Sequence, residues 1–118
     1  MKVAEKLREF FVDRRNHDFY VSHVSAWEIS IKYGVGKLTL PLPPEVFFSD
    51  RLIRSGFLGL PIELDHVVGV HRLPPIHRDP FDRLLISQAL RESMAILTSH
   101  SEILKYDVKS IPLTDLIK

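Results

Sequence analysis

The chain contains no cysteine. That absence removes disulfides, thiolate nucleophiles and cysteine-ligated zinc or iron–sulfur sites, and it is compatible with a reducing compartment. Long hydrophobic runs are missing as well: no stretch approaches the ~18 residues of a membrane span. The opening residues Met1-Lys2-Val3-Ala4-Glu5-Lys6 lack the apolar centre of a signal peptide. A cytoplasmic protein without a membrane segment is the expectation. Charge of one sign is not in excess either. Sixteen Lys and Arg against fifteen Asp and Glu leave a net charge of +1, so overall charge gives no nucleic-acid signature. There is no internal repeat, low-complexity tract or linker. What is present is a 118-residue chain with 45% hydrophobic residues, enough for one domain, 1–118, with a buried core.

Helical and extended patterns alternate along it. Val3, Leu7, Phe10 and Phe11 recur at helical spacing and predict an amphipathic helix to about Arg15. Phe19–Ser22 has the length and composition of a short buried strand. Ser25 with Glu28 three residues later matches a capping box, which predicts a helix from Ala26 to about Tyr33, stopped at Gly34-Val35-Gly36. Prolines extend the chain over 38–44, and Pro44-Glu45 opens a helix that runs through Arg54 to Gly56. Phe57–Ile62 returns as a strand. Leu64–Leu73 is expected as a helix with Val67, Val68, Val70 and His71 inward. Met94–Thr98 and Val108–Leu113 complete the strand-like segments, the latter interrupted by Pro112. Strands alternating with helices predict an α/β fold with a mostly parallel sheet.

The stretch Asp79-Pro80-Phe81-Asp82-Arg83-Leu84-Leu85-Ile86 carries the chemistry. It places two carboxylates three residues apart at the mouth of an otherwise apolar helix, close together on one side. Pro80 suits the first turn, and Asp79 suits the N-cap, where its side chain accepts from orphan amides. Asp82 is not needed for capping once Asp79 has that role. In parallel α/β sheets ligands gather beyond the carboxyl ends of the strands. Ser22, Ser25 and Glu28 follow one strand end, Thr98, Ser99 and His100 another, and Asp79 and Asp82 open the helix leading to the second. Capping alone also accounts for Glu28, and a place at the start of a short helix for His100. The other histidines, His23, His66 and His71, fit packing or surface positions. His77 lies in the loop before Asp79 as a neighbour for phosphate. Trp27 fits helix packing.

The order and spacing of Val21-Ser22-His23-Val24-Ser25-Ala26-Trp27-Glu28-Ile29, Lys32, Gly36-Lys37-Leu38, Leu60-Pro61-Ile62, Leu73 through Ile86, Leu97-Thr98 and Tyr106 resemble PIN-domain proteins, specifically the VapC-type toxins of toxin–antitoxin pairs. The resemblance runs from about Val3 to Leu113. It implies a PIN-like three-layer α/β/α domain and Mg²⁺- or Mn²⁺-dependent endonucleolytic cleavage of RNA. It further implies restraint by a cognate antitoxin protein and assembly as a homodimer. Glu28 and Asp82 match two of the family's acids, and Asp79 is an adjacent acid.

Two departures accompany the match. The family begins with a central strand ending in a metal-binding Asp, upstream of where this sequence starts. The acid after the last catalytic strand is replaced by His100 in Thr98-Ser99-His100. The implied metal ligands are therefore Glu28, Asp79, Asp82 and His100. An imidazole suits Mn²⁺ better than Mg²⁺. Three expectations follow: a weak or impaired ribonuclease, a catalytically inactive PIN remnant that binds antitoxin or RNA, or a longer gene product in which Met1 is internal. The lost central strand leaves edges expected to be filled by a neighbouring chain, a rearranged segment or a collapsed sheet.

Overall fold

The computed structural model describes residues 19–98, 106 and 110–112. The expected Val3–Arg15 helix and His100 lie outside them. The chain divides into two compact units, one formed by residues 18–62 and the other by residues 1–17 with 63–118.

In the first unit, strand β1 (Tyr20–Ser22) leads directly into helix α1 (His23–Gly34). The last strand residue, Ser22, is the N-cap. Its extended backbone turns the hydroxyl back to accept from the Val24 amide at 3.0 Å. The capping box expected at Ser25 is therefore not the helix start. No loop separates strand and helix, so the serine one turn earlier takes the cap and Ser25 lies inside the helix. Only Val24 of α1 is fully buried, and Trp27, expected in helix packing, is half exposed. Helix α2 (Pro44–Ser55) starts with Pro44 in the first turn and ends at Gly56, whose φ of 73° lies in the left-handed region that glycine adopts without strain. The start, Pro44, and the stop, Gly56, are those expected from sequence. Strand β2 (Leu58–Leu60) then pairs parallel with β1, Tyr20 opposite Leu58 and Ser22 opposite Leu60. Phe19 and Phe57, just before the two strands, bring their rings to 5.4 Å between centroids.

The second unit is built on two antiparallel-running pieces of helix. Helix α3 (Leu64–Val68) continues into a 3₁₀ turn over Gly69–Arg72, and α4 spans Pro80–Glu92. The expected inward face of the first piece is corrected. Val67 and Val68 are half exposed, whereas His66, Gly69 and Leu73 are buried. The change from 3.6 to 3.0 residues per turn shifts the phase of the buried stripe within one short segment. Gly69 is needed for close approach: a Cβ there would stand 2.9 Å from the Ser87 Oγ on α4. Ser87 Oγ donates to the His66 carbonyl at 2.6 Å, which ties the two helices together. His66 itself is 1% exposed and fully bonded. Its Nδ1 accepts from the Glu63 amide at 2.9 Å, so its Nε2 carries the proton and donates to Glu92 at 2.7 Å.

The core of this unit joins Leu73, Ile86 and Tyr106, with Ile96 packed against them. Strand β3 (Ile96–Thr98) follows α4, and β4 (Ser110–Pro112) pairs with it in parallel, Ile96 opposite Ser110. The α/β class and the parallel pairing expected from sequence are thus observed, consistent with a PIN-like fold. The strands stand as two separate parallel pairs, β1–β2 and β3–β4. Two-stranded sheets are marginal alone and depend on the helices packed on them.

Ile86 has no exposed surface and lies at the centre of the second unit's core. Ile86→Ala is expected to lower unfolding free energy by about 2–5 kcal/mol, measured by urea denaturation.

Candidate metal centre

Helix α4 begins as its sequence demands. Asp79 has an extended backbone and its Oδ1 accepts from the amides of Phe81 at 2.8 Å and Asp82 at 3.0 Å. Pro80 occupies the first helical position, where no donor is lost. Two carboxylates thereby stand in the first turn, where the unpaired amides and the helix dipole favour negative charge.

Asp82 is only 4% exposed. A carboxylate so buried requires bonding partners. One is His77, whose Nε2 lies 2.9 Å from Oδ2. An ionised carboxylate only accepts, so Nε2 is the donor in this pair. His77 stands five residues before Asp82, outside the helix, and it reaches the carboxylate because the Leu73–Arg78 loop doubles back toward the first turn of α4. The result is a cluster of three potential ligands. One donor atom each from His77, Asp79 and Asp82 lie within 4.8 Å of one another.

The structure therefore brings Asp79 and Asp82 together, as their spacing implied, and adds His77. The imidazole was legible only as a phosphate neighbour, because a loop residue gives no spacing from which a contact to a helix can be read. Glu28 lies in the other unit, on α1. Its Oε2 forms an ion pair with Lys32 one turn on, at 2.7 Å. That pairing is a helix-surface contact of modest energy.

The donor set, two carboxylates and an imidazole, is chemically suited to a divalent cation. Oxygen ligands serve Mg²⁺ and Mn²⁺ alike, and the nitrogen favours Mn²⁺.

No family model matches the chain. Among curated proteins it is similar to Ribonuclease VapC16 of Mycobacterium tuberculosis strain H37Rv, 40% identical over 70 residues that make up 59% of this chain and 48% of the relative. The chain spans about half the length of that relative. The similarity agrees with the VapC-type resemblance of the motifs and supports a ribonuclease reading. No helix among the described residues is long and apolar enough to cross a membrane.

The cap and the cluster can be separated experimentally. Asp79→Ala should cost about 0.5–2 kcal/mol of stability through the two lost amide bonds, while Asp79→Asn, also a good cap, should cost little. Thermal denaturation of both variants checks this. Equal destabilisation by both would show that the carboxylate charge matters more than its capping oxygen.

Proposed function

We propose that this chain is part of a VapC-like, PIN-type metal-dependent endoribonuclease, with weak activity as it stands. The observation that carries the reading is the cluster at the mouth of α4, in which buried Asp82 is flanked by Asp79 and His77 with donor atoms within 4.8 Å. Similarity to a ribonuclease over 70 residues supports the reaction class. Asp79, Asp82 and His77 would hold the ion. When bound there, a divalent ion would supply Lewis-acid polarisation of a phosphoryl oxygen and activation of a water near neutral pH.

The protein's own residues have complementary tasks. Asp82, buried and bonded to His77, holds its carboxylate with little freedom to reorient. Asp79 keeps one oxygen on the helix amides, which leaves the other for solvent or ligand. His77 supplies the nitrogen that tilts metal preference toward Mn²⁺. With two carboxylates and one imidazole in the cluster, binding of a second ion is disfavoured, and a site holding one ion would lack the paired clamp on attacking and leaving oxygens. The same reading makes the chain a single PIN-like domain acting on RNA in the cytoplasm, controlled by a cognate antitoxin and assembled as a homodimer.

A second reading has its own support. Each acid of the proposed set already has a structural partner: Asp79 caps a helix and Asp82 pairs with His77. Such a site suits a catalytically inactive remnant that binds antitoxin or RNA.

Cleavage of structured RNA, followed with Mg²⁺ and with Mn²⁺, decides between them. We expect slow cleavage that is faster with Mn²⁺ and abolished by Asp82→Asn. Absence of cleavage with either metal, together with retained antitoxin or RNA binding, would replace the nuclease reading by the remnant. Robust Mg²⁺-dependent turnover would overturn the expectation of weak activity.

A further inference from the structure

The loop that delivers His77 contains Pro74 and Pro75, which have no N–H to offer. Within the loop the Ile76 amide donates to the Pro74 carbonyl at 2.9 Å. Three of the loop's carbonyls, those of Leu73, Pro74 and His77, meet one guanidinium. Arg83, the residue after Asp82, directs Nη1 to the carbonyls of Pro74 at 3.0 Å and His77 at 3.4 Å and to the Tyr106 hydroxyl at 3.2 Å. Its Nη2 reaches the carbonyls of Val70 at 3.3 Å and Leu73 at 3.4 Å. Successive helix residues project about 100° apart, so one turn of α4 offers a carboxylate to the His77 ring and a guanidinium to the backbone that carries it.

Tyr106 closes the arrangement from a distant part of the chain. Its hydroxyl accepts from the His77 amide at 2.8 Å and from Arg83, and donates to the His77 carbonyl at 3.3 Å. One donor and two acceptor positions are all that a phenol has, and all three are used. The tyrosine is 4% exposed and packs in the core with Leu73 and Ile86. His77 is thus held at its amide, its carbonyl and its ring.

We propose that Arg83 and Tyr106 are positioning residues: they fix the backbone of His77 so that its imidazole meets Asp82, and they thereby set the geometry of the cluster. This deepens the metal-dependent reading above and rests on it for its functional meaning, but the geometric claim is independent of catalysis. Arg83 spends its guanidinium on these backbone carbonyls and the Tyr106 hydroxyl.

Two conservative variants test the proposal. Tyr106→Phe keeps the ring in the core and removes only the hydroxyl. Arg83→Lys keeps the charge but replaces a rigid fork of five donors by one ammonium, which cannot span the same acceptors. The first measurement is the ¹⁵N–¹H spectrum of the histidine rings in metal-free protein, with Asp82→Asn used to assign the His77 signal. We expect Tyr106→Phe to shift or broaden that signal while the His66 signal and the folded amide spectrum stay in place. The second is Mn²⁺ affinity by calorimetry, expected to fall ~10–100-fold as for other residues that support a metal ligand. An unchanged His77 signal in folded Tyr106→Phe overturns the proposal whatever Mn²⁺ does. If wild type binds no Mn²⁺ but the ring signal moves, the positioning role stands and the metal reading falls. Should Arg83→Lys fail to fold, Tyr106→Phe alone decides.

Discussion

A buried carboxylate is the constraint around which the second unit is arranged. Asp82 has almost no contact with solvent, and an isolated charge in that position would cost several kcal/mol. The fold meets this with a helix N-terminus and a histidine brought in from a loop. The histidine is useful only where its backbone is held, and the loop that carries it contains two residues without amide donors. Arg83 and Tyr106 supply what the loop lacks. One buried charge thus propagates its demands through a chain of hydrogen bonds to a residue more than twenty positions away.

The far end of α4 repeats the logic with a different histidine. His66 is buried and accepts at Nδ1, so its donor end is fixed toward Glu92. Gln88 Nε2 lies 3.3 Å from the same Nδ1, and Ser87 bonds the His66 carbonyl. His66, Ser87 and Gln88 are buried polar residues, yet among the described residues no buried side-chain donor or acceptor is left without a partner. Full satisfaction is what makes such buried polar groups compatible with a core, since a single orphaned group would cost more than one satisfied hydrogen bond contributes. Ile86 and Ala89 supply the apolar burial between the two polar ends.

What the sequence made legible follows from the range of the forces involved. Pro44 and Gly56 bracket a helix because proline and glycine act on their own backbone, and Asp79 caps because its partners are two and three residues away. Ser22 and Ser25 compete for one role, and local pattern preferred the serine with a glutamate three residues on. The strand ending at Ser22 decided otherwise, because the helix begins without an intervening turn. His66 was hidden for a different reason: its burial depends on Gln88, Ser87 and Glu92, all more than twenty residues away. The pairing of His77 with Asp82 needs a loop conformation that is set by Arg83 and Tyr106, and no periodicity encodes it. Asp79 and Asp82 could be placed together from spacing alone because both belong to one helical turn.

The bonds that make the cluster stable are also those that a cation would have to rearrange. Asp82 has its Oδ2 engaged by His77, and Asp79 has its Oδ1 engaged by two amides. An N-capping bond uses one oxygen and leaves the other carboxylate oxygen for a second role, so Asp79 can cap and ligate together. The His77–Asp82 pair is different, because an imidazole N–H cannot ligate until it gives up its proton. A metal in this position therefore competes with a hydrogen bond that already satisfies a buried charge, and its net affinity is the difference between two good arrangements rather than the gain from an empty one. Rigid support of the His77 backbone acts on that difference. It keeps the imidazole within reach in both arrangements, so exchange of a proton for a cation requires little movement of the main chain. A loosely held loop would let His77 leave when its hydrogen bond broke, and the cluster would lose a ligand at the moment it was needed.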